Sequence, residues 1–169
     1  MVALIVLVLG VLGSAAMTLN SLRDNKQSAL RSQASGLAYE LADLMRANAE
    51  PDPLQQAARE AIFTGAVGTV VPSCYVNGCS PAEMATSDFA QWVAKLQSTT
   101  APVFGLPHAS WKLCRDAANL SSMTACDNLA TSPLVIKLKW DEKFNNGTYV
   151  ADQPGNSTKP NLVLPVQPY

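Results

Sequence analysis

MVALIVLVLGVLGSAAMTLNSLRDN (residues 1–25) meets its first charged side chain only at Arg23. Whether this run is a cleaved signal, a membrane anchor or an assembly helix decides how the rest of the chain is organised. A secretory signal has a basic leading region, a shorter apolar stretch and a small-x-small cleavage site. Here nothing basic precedes the aliphatic run, and only SAAM (residues 14–17) has the small residues of such a site. At a rise of about 1.5 Å per residue, residues 1–22 make a rod of about 33 Å, close to the hydrocarbon thickness of a bilayer. Retention is the reading this favours.

The stretch beyond Leu22 does not break into a loop. Leu30, Ala34, Leu37, Leu41 and Leu44 recur at spacings of four, three, four and three, with Met45 adjoining. That is the apolar stripe of an amphipathic helix. Arg23, Asp24, Lys26, Arg31, Glu40, Asp43 and Arg46 lie mostly off it, and no proline occurs before Pro51. Ala47, Asn48 and Pro51 supply the stop. The expectation is one continuous helix: residues 1–22 a transmembrane half, residues 23–48 an amphipathic half, and residues 49–169 a globular head. Leu37, Leu41 and Leu44 are expected to pack on that head.

The totals fit this division. The chain has 169 residues, 48% hydrophobic and 15% charged, against about 25% charged for an average soluble domain. Lys and Arg number 12 against 13 Asp and Glu, and with no basic patch nucleic acid is not an expected partner. The four cysteines, Cys74, Cys79, Cys114 and Cys126, form an even set behind an apolar segment, which points to an oxidising compartment and two disulfides. Three pairings are open. Chain proximity favours Cys74–Cys79 and Cys114–Cys126, whose short loops would contribute about 2 and 3 kcal/mol by loop entropy. A zinc site is the competing reading, but the spacings lack a tight C-x2-C pair and His108 is the only histidine, so no metal is expected.

Within the head, Leu54, Ala57, Ala58, Ala61 and Ile62 share one helical face, stopped by Gly65. Ser80-Pro81-Ala82-Glu83 has the form of a capping box with proline at the first helical position. Phe89, Trp92, Val93 and Leu96 follow at helical spacing behind a cap at Asp88 or Ser87, with Trp92 a core residue. LVIKLKW (residues 134–140) alternates, placing Leu134, Ile136, Leu138 and Trp140 on one face and Lys137 and Lys139 on the other, as in a half-buried antiparallel strand. SWKLCR (residues 110–115) is a further strand. Asn146-Gly147 signals a hairpin between Phe144 and Tyr149. In NLVLPVQP (residues 161–168), Pro165 argues for an edge strand or an early end. The fold class is α+β: a long N-terminal helix spine packed on a small antiparallel sheet.

No nucleophile elbow, phosphate loop, zincin helix or dinucleotide fingerprint occurs. His108, beside Pro107, reads as a solvated loop side chain. The acid pairs Asp141-Glu142 and Glu40/Asp43 sit where strand ends and helix faces carry charge. Sequons at Asn119, Asn146 and Asn156 are of a kind that arises often by chance. Neither catalysis, a cofactor nor a small-molecule substrate is expected.

A long helix, apolar then amphipathic, with a cysteine-bearing domain behind it is the plan of type IV pilins and pseudopilins. MVALIVLVLGVLGSAAM (residues 1–17) resembles the segment behind the processing site in that family. RSQASGLAYELADLMRANAEPD (residues 31–52) resembles the second helical half of the PilV-type minor pilins, or type IV pilus modification proteins. CYVNGCSPAEMATSDFAQWVAKL (residues 74–96) is similar to that family's cysteine pair, acidic turn and Trp-bearing helix. CRDAA (residues 114–118) and PLVIKLKWDE (residues 133–142) resemble its later cysteine segment and strand. The family's leader, processing glycine, first phenylalanine and membrane-embedded glutamate are not in these 169 residues, and the reading expects them upstream of Met1.

The resemblance implies a minor pilin that takes part in initiating pilus assembly with other minor pilins, at the pilus tip, with a role in adhesion and a processed, methylated N-terminus. Its partners would be minor and major pilins through the N-terminal helix, and inner-membrane lipid before assembly. Its location would be the bacterial inner membrane, as a single-pass protein with its head in the periplasm, and then the pilus. Leu4, Val8, Gly10, Gly13 and Ala16 would lie in the membrane and fibre-core half, where small residues permit close helix approach. The alternatives are a minor pseudopilin of type II secretion and a signal-anchored periplasmic binding or adhesin domain.

Overall fold

A computed structural model describes residues 2–71, 74, 76–100, 105–141, 143–145, 148–150 and 159–166, and among these all side chains but those of residues 2, 4, 5, 143–145 and 148–150. Helix α1 (Val2–Ala47) runs unbroken for 46 residues, a length of about 69 Å. From Leu30 it enters the core: Leu30, Ala34, Leu37, Ala38, Leu41, Ala42 and Met45 are buried. Leu44 is only partly buried, packed at the core's margin. A four-three repeat drifts by about 20° per heptad on a straight helix, so the seam that starts on Leu37 and Leu41 ends on Met45. Asn48 closes the helix, its backbone N–H and side-chain amide both donating to Leu44 O, at 3.1 and 2.8 Å.

Helix α2 (Pro53–Thr64) begins at Asp52, whose carboxylate accepts from Leu54 N at 2.9 Å, with Pro53 leading the first turn, and ends at Gly65. Of its expected apolar face only Ile62 packs against the core. Leu54 is 83% exposed and Ala57, Ala58 and Ala61 face solvent, while Phe63 and Arg59 are buried. Phe63 meets Phe89 edge-on at 5.5 Å, and one phenylalanine removes more apolar area from water than any single alanine of the stripe and adds a ring–ring contact. That difference sets the helix's rotation.

Helix α3 (Pro81–Leu96) carries the full capping box, with Glu83 N donating to Ser80 Oγ at 3.3 Å and Ser80 N to Glu83 Oε2 at 2.9 Å. No second start occurs at Ser87 or Asp88, because the box already serves the first turn and nothing after it breaks the helix. Ser87 is buried and accepts from Val71 N at 3.2 Å; Asp88 accepts from Asn48 Nδ2 at 3.4 Å. Trp92 lies in the core with Phe89, Val93 and Leu96. Its indole Nε1–H donates to Leu37 O at 2.8 Å, and Lys95 pairs with Glu40, so two polar links join α3 to α1 beside the apolar contact.

Strands β1 (Ser110–Arg115), β2 (Leu134–Lys139) and β5 (Leu162–Val166) form an antiparallel sheet in the order β1-β2-β5. Pro165 stands on an edge strand opposite Val135, where its missing N–H is tolerated. Strands β3 (Lys143–Asn145) and β4 (Thr148–Val150) pair as a separate ribbon with Phe144 opposite Tyr149; the Asn146-Gly147 turn lies outside the described residues. Leu113, Leu134, Ile136, Leu138, Trp140 and Val166 join α1 and α3 in one core. Trp92, Trp111 and Phe89 meet there with ring centroids 5.1–6.3 Å apart. The architecture is α+β, a long helix spine with a small antiparallel sheet packed on its second half.

Candidate functional site: the free half of the helix and the cystine loop

Among the described residues, every side chain in the first half of α1 is exposed. Val6, Leu7, Val8, Leu9, Val11, Leu12, Met17, Leu19 and Leu22 are 53–77% exposed, and the first buried side chain is Leu30. Burial of such side chains is worth roughly 1.5–3 kcal/mol each, so these nine together represent on the order of 15–25 kcal/mol. A domain's whole stability is about 5–15 kcal/mol. Water is therefore the wrong surrounding for this helix, which is long and apolar enough to cross a bilayer once. Two of its hydroxyls are satisfied within the helix: Ser14 donates to Val11 O and Thr18 to Ser14 O, both at 2.9 Å. At Gly10 and Gly13 an added Cβ would meet nothing within 4 Å, so the head places no demand on these glycines. Ala16 is exposed on the same segment, while the side chain of Leu4 lies outside the described residues.

The second feature was not legible in the strand pattern. All of β2 from Leu134 to Leu138 is buried, including Lys137, expected on a half-exposed face. The segment between β1 and β2 folds back over that face, closed by a disulfide joining Cys114 of β1 to Cys126 across 12 residues. Lys137 Nζ lies within hydrogen-bond distance of four oxygens, Asp116 Oδ2, Asn119 O (3.0 Å), Ser122 O (2.9 Å) and Ala125 O (2.9 Å), among which its three N–H groups are shared. Both ion-pair side chains are 0% exposed. Asp116 Oδ1 accepts from Ala118 N at 3.1 Å and Asn119 N at 2.9 Å. Burial alone would raise the Asp116 carboxyl, but the bonds from Lys137, Asn119 and Ala118 outweigh it and hold it below its ordinary value. Asp127 also lies below its ordinary value, held by the N–H groups of Ala117 and Leu129 and then by Ser132.

Arg115 fastens the far side of this loop. Its guanidinium takes both oxygens of Glu60 on α2, with Nε to Oε1 at 2.7 Å, and donates to Ser132 O at 3.0 Å. The other disulfide, Cys74–Cys79, closes a small surface loop that presents Val76 and turns at Gly78 (φ +80°) just before the Ser80 cap. His108 is exposed at 71%, yet its Nδ1 lies 2.8 Å from Oδ2 of the buried Asp141. This pair ties the turn before β1 to the end of β2. An open cleft of about 520 Å³, lined by Leu30, Gln33, Gln97 and His108 among others, lies where α1 enters the head. Among the described residues no three His, Cys, Asp or Glu side chains converge as metal ligands would.

Compared with protein-family models, with curated proteins and with solved structures, the chain has no match.

Proposed function

We propose that this chain is a minor pilin of the type IV pilus, of PilV type, a non-enzymatic structural subunit that helps initiate assembly with other minor pilins and stands near the fibre tip. The observation that carries this reading is the division of α1: one continuous helix is exposed and apolar up to Leu22 and is built into a head from Leu30 onward. A simple anchor needs only a span and a tether; a helix continuous with the head's core fixes the head's orientation relative to whatever packs around the span. In the membrane the apolar half contacts lipid. In a fibre it exchanges lipid for equivalent helices, and Gly10, Gly13 and Ala16 allow close backbone approach. The order of the resembling segments from residue 1 to residue 142 supports the same reading, and two disulfides suit a periplasmic head.

The test is fractionation of cells expressing the tagged full-length protein, with the mass of its mature N-terminus. Recovery in sheared pili with a processed, methylated N-terminus is expected. Recovery with a secretion pseudopilus would move the chain to the alternative branch, and an unprocessed monomer confined to the membrane would remove the pilin reading altogether.

A further inference from the structure

We propose that the loop between β1 and β2 is folded around a tethered cation: the Lys137 ammonium occupies an oxygen cage that would otherwise bind a free ammonium-sized monovalent cation. The inference does not depend on the pilin reading. The donor set is one carboxylate, Asp116, and three main-chain carbonyls, Asn119, Ser122 and Ala125. This is the hard-oxygen environment that dissociable alkali or alkaline-earth ions use. The carbonyls stand 2.9–3.0 Å from nitrogen, a spacing suited to an ammonium-sized ion. Charge selects the valence: Asp116 supplies one negative charge, and the carboxylate of Asp127 is already engaged by Ala117 N, Leu129 N and the Ser132 hydroxyl. A single positive charge closes the balance, and a divalent ion would leave one in excess inside a site shielded from solvent.

Two consequences distinguish a tethered cation from an ordinary buried ion pair. The wild-type loop holds its fold without any dissociable ion, so chelators and added calcium leave the unfolding midpoint unchanged. In Lys137→Ala the cage and the channel left by the lysine stem form a site for an alkylammonium ion, which binds only the folded state and raises stability by mass action.

The experiment measures unfolding midpoints of the full-length chain in detergent micelles, wild type and Lys137→Ala, at equal ionic strength of sodium, potassium, propylammonium or calcium chloride. Propylammonium is expected to raise the variant's midpoint by roughly 10 °C at concentrations near a hundred times its dissociation constant, with potassium giving a smaller rise and wild type unmoved. Adding Asp116→Asn to Lys137→Ala is expected to abolish the rise. If Lys137→Ala does not fold in sodium chloride, refolding yield with propylammonium replaces the midpoint, and recovery is expected. Equal response to all salts, no response or recovery, or a wild-type midpoint that depends on calcium or on chelator would overturn the proposal.

Discussion

Asp116 and Lys137 are each shielded completely from solvent, so removing one leaves the other charged and unpaired in a medium that solvates it poorly. Asp116→Asn is expected to destabilise the head by about 3–5 kcal/mol, read as a lowered denaturant midpoint. Asp43→Asn, which breaks only the exposed pair with Arg46, should change stability by no more than about 1 kcal/mol. The same carboxylate sets an acid limit. Its folded pKa lies below the unfolded one, near 3.9, so its contribution is complete above that value and disappears as pH falls through the folded pKa. Asp127 acts in the same direction. Stability is thus expected to fall below about pH 4, and thermal melts of wild type and Asp116→Asn between pH 2 and 6 should converge as it does. A smaller effect is expected at Trp92, whose Nε1–H reaches Leu37 O. Trp92→Phe keeps an aromatic ring but loses that bond, a cost of at least about 1 kcal/mol.

At the scale of the element, α1 behaves as two helices in one. Leu41 is fully buried at the centre of the seam, and Leu41→Ala should cost about 2–5 kcal/mol in the head. Gly13→Glu is the complementary change. Nothing lies within 4 Å of the added Cβ, so the head's unfolding midpoint should stay unchanged while incorporation into fibres is lost. Normal amounts of the variant in sheared pili would contradict the role proposed for this half. The extent of α1 was readable because its signals are local: no proline, a sustained stripe and a stop at residues 47–51. The alanine-rich face of α2 was readable as a pattern but not as an orientation. Phe63 selects the docking face by pairing with Phe89, a residue on another helix that no local spacing reveals. Ser87 and Asp88 likewise look like caps by residue type, and only the completed box at Ser80–Glu83 makes them interior positions of one helix.

Across the whole molecule, the disulfides and the sheet divide the work of closing the head. Cys114–Cys126 holds the loop that covers the second face of β2. Replacing both cysteines by serine is expected to cost about 3 kcal/mol by loop entropy, and to make Lys137 reactive to amine acylation followed by peptide mass mapping, while Lys137 in the wild type stays protected. Periodicity and backbone chemistry within a few residues account for the continuous helix, its apolar first half, the three sheet strands with a proline-marked edge, and hence the α+β class. Burial of β2 on both faces comes from packing between distant segments. Alternation reports that Lys137 and Leu138 point to opposite sides, but not what lies on each side. That depends on a cystine loop whose ends meet across 12 residues and whose carbonyls converge on one ammonium. Convergence of that kind is a property of the folded chain, and no local spacing carries it.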